Sequence, residues 1–292
     1  MFSNRFEYFR PTSISEALSL LSKYQDDAKP LAGGQSLVSM MKLRLANPKY
    51  VVDLGGIDSL NYIREEEVEE KNYIAIGAMT TYSQIKESAL LRSKCPLLPK
   101  TASVVGDVQV RNRGTIGGSL AHADPAGDIP AAILALRGDL KTEGPQGDRW
   151  IKAEDFFLGM YSTALLPDEI LKEIRVPVAD LQRSAYLKAA RRPSDFAIVG
   201  VAVCLMVSAQ GICTEVSIGV TGISDKPFRA FESEAILKGN RLCPELIGRA
   251  GNLVTQGLDV NANIHASEHF RSHLATVYFS RAVEMASRTD HV

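Results

Sequence analysis

Two short stretches carry the residue types that could seat a phosphate. Residues 29–36 read KPLAGGQS, and residues 115–128 read TIGGSLAHADPAGD. Each places a Gly-Gly pair before a small polar residue and an apolar segment. Glycine has no Cβ, so the backbone at such a turn can approach a bulky anion closely. The first amides of a helix also lack intrahelical acceptors and carry partial positive charge, which suits an oxyanion. In the first stretch the turn centres on Gly33 and Gly34, with Ser36 as the cap. In the second, Thr115 and Ser119 flank Gly117 and Gly118, and Asp128 supplies a carboxylate that could accept from sugar hydroxyls. Neither spacing is G-x-G-x-x-G, which disfavours a standard NAD site. Two such turns in one chain favour a ligand with a long phosphate bridge.

Other reactive side chains are scattered. Cys95, Cys204, Cys213 and Cys243 form no C-x-x-C pair. That spacing argues against zinc or an iron–sulfur cluster held by this chain, and for four reduced thiols in a cytoplasmic setting. His265, His269 and His273 stand four apart, a pattern that a solvated helix face explains without a metal. His122 lies inside the second motif, where it could touch a ligand or brace its own loop. Arg111 and Arg113 could steady a phosphate or lie on an ordinary surface. Tyr186 reads as sheet core. No Ser/His/Asp or Cys/His set stands out, so no catalytic residue is assigned.

These turns need strands and helices to hold them. SISEALSLLSKY has apolar residues at helical spacing, and KPLAGG reads as a short strand ending in glycines. SLVSMMKLRL predicts a helix stopped at Asn47-Pro48, and YVVDL a strand. Residues 60–79 suggest a hairpin tipped by the acidic EEEVEE run, a solvated turn. DIPAAILAL predicts a short apolar helix with Pro130 in its first turn, and EILKEIRVP a strand. SAYLKAARR, FAIVGVAVCLMV and EVSIGVTGI then read as three antiparallel strands. Three helices close the chain, the last with Phe270, Leu274, Val277, Tyr278, Ala282 and Met285 on one apolar face.

The 292 residues suffice for two or three modest domains, and the formal net charge of −1 gives no case for nucleic acid or a membrane surface. The longest apolar run, residues 196–207, is too short for a transmembrane helix. The start of the chain has no basic-then-apolar pattern, so no secretion signal is expected.

KPLAGGQSLVSMMKLRLANPKYVVDL and VQVRNRGTIGGSLAHADPAGDIPAAILAL together resemble the FAD-binding (medium) subunit of molybdenum hydroxylases, the carbon monoxide dehydrogenase and xanthine dehydrogenase type. The resemblance extends through YLKAARRPSDFAIVGVAV and the three-helix tail. It implies an α+β fold of the vanillyl-alcohol oxidase (PCMH) type. Residues 1–57 and 58–177 would be two FAD-binding subdomains, and 178–292 a C-terminal α+β domain with a three-stranded antiparallel sheet and three helices.

The resemblance also places Lys29, Pro30, Leu31, Ala32, Gly33, Gly34, Gln35 and Ser36 around the FAD pyrophosphate. Thr115, Ile116, Gly117, Gly118 and Ser119 fall on the same cofactor, with Asp128 near its sugar or ribityl hydroxyls, Leu171 against the flavin region and Lys188 in contact with the cofactor. At Gly118 we expect donated N–H groups and a positive φ, so that any Cβ there would both block and strain. A large molybdopterin subunit would oxidise substrate, and a small subunit with two [2Fe–2S] clusters would feed this FAD, which passes electrons to an external acceptor. The expected assembly is a dimer of heterotrimers. LAGGQS lacks the histidine that covalently flavinylated proteins of this fold often carry. We therefore expect non-covalent FAD and disfavour a stand-alone flavin oxidase. The intact glycines likewise disfavour a flavin-free assembly subunit.

Overall fold

Helix α1 (Ile14–Tyr24) starts where the Ser13 hydroxyl accepts from the Glu16 amide, and it buries Ala17, Leu18 and Leu21 on one face. Ala28, Val52, Leu54 and Leu60 complete this small core. Strands β1 (Glu7–Phe9), β2 (Ala28–Leu31) and β3 (Tyr50–Asp53) form a parallel sheet in the order β1-β3-β2. Between β2 and β3 runs α2 (Leu37–Lys42), shorter than its sequence predicts. Arg44 turns into the left-handed region (φ 60), and Leu43 and Leu45 are exposed, so the helix ends before the Asn47-Pro48 pair. The computed structural model describes residues 2–178 and 183–288; the remaining parts of the expected C-terminal domain, 179–182 and 289–292, lie outside the described residues.

The second sheet is antiparallel. It contains β4 (Ile63–Val68), β5 (Lys71–Gly77), β6 (Asp139–Gly144), β7 (Gly147–Lys152) and, later in the chain, β10 (Ile170–Pro177), in the order β4-β5-β10-β6-β7. From β5 to β6 the chain passes through α3 (Tyr82–Glu87), α4 (Ala89–Lys94), α5 (Leu97–Ser103), α6 (Val108–Arg113), α7 (Ile116–His122) and α8 (Asp128–Ala135). A turn of helix, α9 (Ala153–Phe156), and a small hairpin of β8 (Phe157–Gly159) and β9 (Ser162–Thr163) lead into β10. All eight residues of α8 are buried, as expected of a helix that is apolar on every side.

Helix α8 is covered on its far side by a third sheet, made of β11 (Arg183–Ala189), β12 (Val199–Val207), β13 (Cys213–Thr221) and β14 (Phe228–Arg229) in that order. The sequence suggests three strands here. The fourth has two residues, Phe228 and Arg229, paired with Val220 and Gly219, too few to leave a periodic signal. Helices α10 (Phe231–Leu237), α11 (Pro244–Leu253) and α12 (Glu268–Arg288) follow. The buried residues of α12 are Arg271, Ala275, Phe279, Ala282, Val283 and Ala286. Of the predicted face, Leu274, Tyr278 and Ala282 pack on the core, while Phe270 is 46% and Met285 49% exposed. Alanines bring the helix close to β11 and β12, and close approach outweighs side-chain size. Among the described residues no helix is long and apolar enough to cross a membrane.

The seam between α8 and β13 is tight. A Cβ on Gly219 would stand 2.0 Å from the carbonyl oxygen of Ala131. Backbone cannot yield there as a side chain would, so we expect Gly219→Val to cost at least the about 1–3 kcal/mol typical of overpacking. Urea unfolding of the purified variant checks this; an unchanged midpoint would mean that the seam is loose.

Candidate cofactor site

The two glycine motifs meet. A Cβ on Gly33 would lie 2.0 Å from the Arg113 carbonyl oxygen and 2.8 Å from the Gly114 Cα, so the first loop rests directly on the backbone leading into α7. A Cβ on Gly118 would come 3.4 Å from the Ala32 Cβ, across the gap between the motifs. Gly34 has φ 75, the left-handed region that glycine tolerates best. The motifs thus form one site, but their glycines do different work. Gly33 is needed for contact, Gly34 for its backbone angle.

Their N–H groups differ as well. Around the first turn the amides of Gly33, Gly34, Gln35, Ser36 and Leu37 have no acceptor among the described residues. The Ser36 hydroxyl makes no cap bond to α2 either. Main-chain donors are normally paired, so five in succession without a partner point to solvent or a ligand. At α7 the donors are already used: Ile116 N–H donates to the Thr80 carbonyl (3.0 Å) and Gly117 N–H to the Ala78 carbonyl (2.9 Å). Gly118 N–H donates to the capping Thr115 hydroxyl (3.1 Å). Gly117 and Gly118 have helical backbone without positive φ. The expected strain at Gly118 is therefore absent, and the donors lie at the first motif.

Arg113 at the end of α6 is exposed and close enough to Tyr8, with Arg10, to oppose the rise of the Tyr8 phenol that its hydrogen bond to Asp53 causes. The outward side of α7 is small: Gly118 and Ser119 are half-buried and Ala121 is exposed. It ends at His122, whose ring lies 5.0 Å from that of Tyr161. Burial lowers the His122 pKa against the pull of Asp124, which favours the neutral ring.

Beneath this surface is a buried ion pair. Lys188 Nζ donates to Asp128 at 2.8 Å and to the Val104 carbonyl at 3.1 Å. Tyr186 donates to the other oxygen of Asp128. Burial pushes the Asp128 carboxyl above its ordinary range, against the attraction of Lys188, and it pushes the Tyr186 phenol well up. Leu171, on β10 opposite Thr142, is also buried.

A family model described as the FAD binding domain in molybdopterin dehydrogenase matches residues 4–179. A second, the CO dehydrogenase flavoprotein C-terminal domain, matches residues 184–286. This chain belongs to the FAD-binding medium-subunit family of the molybdenum hydroxylases. It is 38% identical to the carbon monoxide dehydrogenase medium chain of Afipia carboxidovorans, over 98% of each chain. The glyceraldehyde dehydrogenase medium chain of Sulfolobus acidocaldarius is 35% identical, over 97% of this chain and 98% of the relative. Among solved structures, carbon monoxide dehydrogenase from Hydrogenophaga pseudoflava superposes with a TM-score of 0.94 at 37% identity, over 98% of each chain.

The family's motif residues divide by place. Ala32 to Ser36 line the open turn, and Lys29, Pro30 and Leu31 are the strand that carries it, paired to Val51, Val52 and Asp53. Thr115, Ile116 and Gly117 are buried and pin α7 to the residues after β5; Gly118 and Ser119 reach the surface. Asp128, Lys188 and Leu171 are buried behind it. Three features escape sequence reasoning: the Leu37 amide, the Tyr161 ring, and the bond of Tyr186 to Asp128, which the expectation of a core tyrosine omits. His122 had a signal, its place within the motif. Of the three spaced histidines, His269 and His273 lie on α12 and His265 precedes it.

Removing one ion of a buried pair strands the other, typically at about 3–5 kcal/mol. We expect Lys188→Met to destabilise the protein by that amount near neutral pH. The sign of the pH dependence follows from Asp128. Its folded pKa is raised above the ordinary 3.8, so the folded state holds the proton more tightly than the unfolded one. Stability should therefore return as pH falls through the raised value toward the ordinary one, and be lost again as pH rises. Urea unfolding of the variant across that window is the check; a pH-independent loss would contradict it.

Proposed function

We propose that this chain is the FAD-carrying electron-transfer subunit of a molybdenum hydroxylase, taking electrons from a small [2Fe–2S] subunit and passing them to an external acceptor. The observation that carries this reading is the run of partnerless N–H groups from Gly33 to Leu37, set where two glycine motifs touch. Successive main-chain donors in a concave turn are what a diphosphate needs. The residues present fit that group: the amides from Gly33 to Leu37 and the Ser36 hydroxyl have no partner among the described residues, and the exposed Arg113 has its backbone against Gly33.

In this reading the diphosphate of FAD binds the 32–37 turn, steadied by Arg113. The rest of the cofactor runs along Gly118, Ser119 and Ala121 toward His122 and Tyr161. Lys29, Pro30 and Leu31 fix the turn from behind, and Thr115, Ile116 and Gly117 fix α7. Asp128, Lys188 and Leu171 support the wall rather than donate to the phosphates. When bound, FAD supplies the redox centre, and the protein binds it, orients it and limits its contact with water. No covalent link is proposed, because the first turn has no histidine.

The fold we assign is the vanillyl-alcohol oxidase (PCMH) type, with subdomains 1–57 and 58–177 and a C-terminal domain 178–292. The grouping of the three larger sheets by sequence range supports that division. Substrate oxidation is assigned to a large molybdopterin subunit, in a cytoplasmic dimer of heterotrimers. The relatives' names support a multi-chain enzyme: two are medium chains.

Gly118→Val tests the site. Helical backbone accepts valine, though the Thr115 hydroxyl, 2.8 Å from the new Cβ, must turn. The branched side chain then fills the gap toward Ala32. Loss of one or two charge-assisted bonds, about 3 kcal/mol in all, corresponds to roughly a hundred-fold weaker binding. Titrating FAD into wild type and into a variant with unchanged unfolding midpoint reads this directly. Equal affinity would show that the gap between the motifs holds no cofactor.

A further inference from the structure

Away from the glycine motifs, α3, α4 and α5 border an open cleft of about 360 Å³ lined by Lys86, Arg92, Pro96, Pro99 and Lys100. Three of the five lining residues are cations, and none is acidic. Among the described residues, none of the three makes an ion pair, although fifteen such contacts are formed elsewhere. In a chain with net charge −1, this is a concentrated and uncompensated positive charge.

Two of the cations are also held in place. Arg92 donates its Nε–H to the Lys86 carbonyl at 3.1 Å, leaving the Nη1/Nη2 end of the guanidinium for a bidentate contact. Lys100 donates to the Ser184 carbonyl at 3.1 Å, a bond that uses one of its three protons. Burial lowers the Lys100 pKa, and no carboxylate offsets that effect. The prolines make two walls rigid. A concave, partly apolar setting focuses the field of such charges, and a volume near this size suits a small ligand.

We propose that this cleft binds a compact dianion, either inorganic phosphate or the phosphate of a small ester, at a site separate from the cofactor turn. Arg92 grips two oxygens, and Lys86 and Lys100 neutralise the remaining charge. The site lies against β11 through the Lys100–Ser184 bond, so its occupant would sit beside the seam between the second and third sheets.

Calorimetric titration of inorganic phosphate into the full chain saturated with FAD, at constant ionic strength, tests the proposal. We expect one site per chain, with affinity falling about tenfold or more in Arg92→Gln, the scale of one lost charge-assisted bond. Lys86→Gln, at an exposed side chain that makes no hydrogen bond or ion pair among the described residues, should weaken binding several-fold on the same grounds and guards against a folding defect in the first variant. A glycerol phosphate titration separates the two sources: tighter binding than phosphate assigns the ester, weaker binding the free ion. Equal binding by wild type and both variants would mean an adventitious ion only and would overturn the proposal. Loss of phosphate binding by the wild-type chain once its partner subunits are attached would also overturn it, by making the cleft a contact for a partner's acidic segment.

Discussion

The carbonyl oxygen of Arg113 occupies the space that a side chain at residue 33 would need, and this contact sets how near two loops from different sheets can come. One loop leaves β2 of the parallel sheet, and the other begins α7 behind the antiparallel sheet. With any residue larger than glycine at 33 the first loop would be pushed off α7. The partnerless amides would then face open water instead of a wall. Close backbone contact, rather than any reactive side chain, is what the rest of the site depends on.

The surrounding structure keeps that wall from moving. Helix α7 spends its first three amides on Thr80, Ala78 and Thr115, so its start is tied to the end of β5 and cannot slide outward. Behind it, α8 is buried between two sheets and begins with Asp128, whose carboxylate accepts from Tyr186 and Lys188 of β11. Helix α5 and strand β11 are joined in both directions by lysines: Lys188 donates to the Val104 carbonyl and Lys100 to the Ser184 carbonyl. A buried pair such as Asp128–Lys188 adds little net stability over an apolar contact. Its consequence is positional, because neither ion can leave without stranding the other.

Local chemistry made much of this legible in the sequence. The apolar spacing of α1, the short apolar helix α8 and the strand β10 are read directly, as are the two glycine motifs and their likeness to one family. What each glycine does could not be read. Gly33 and Gly117 are required by contacts with Arg113 and Ala78, residues distant in sequence, while Gly34 is required by its own φ. The same holds for the amides at α7: a Gly-Gly pair at a helix start looks free until the acceptors at 78 and 80 are in place. Helix α12 is legible and Leu274, Tyr278 and Ala282 of its expected face pack on the core, but Phe270 and Met285 are exposed while the smaller Ala275 and Ala286 are buried. Strand β14 is defined only by its partner.

Amide hydrogen exchange of the purified chain, with and without FAD, addresses the division of labour between the two motifs most directly. We expect the amides of Gly33 to Leu37 to exchange rapidly without cofactor and to slow strongly when FAD is added. Those of Ile116, Gly117 and Gly118 should be slow in both states, since their acceptors belong to the protein. Protection appearing at 116–118 while 33–37 stays unchanged would contradict the assignment of the phosphate donors to the first motif.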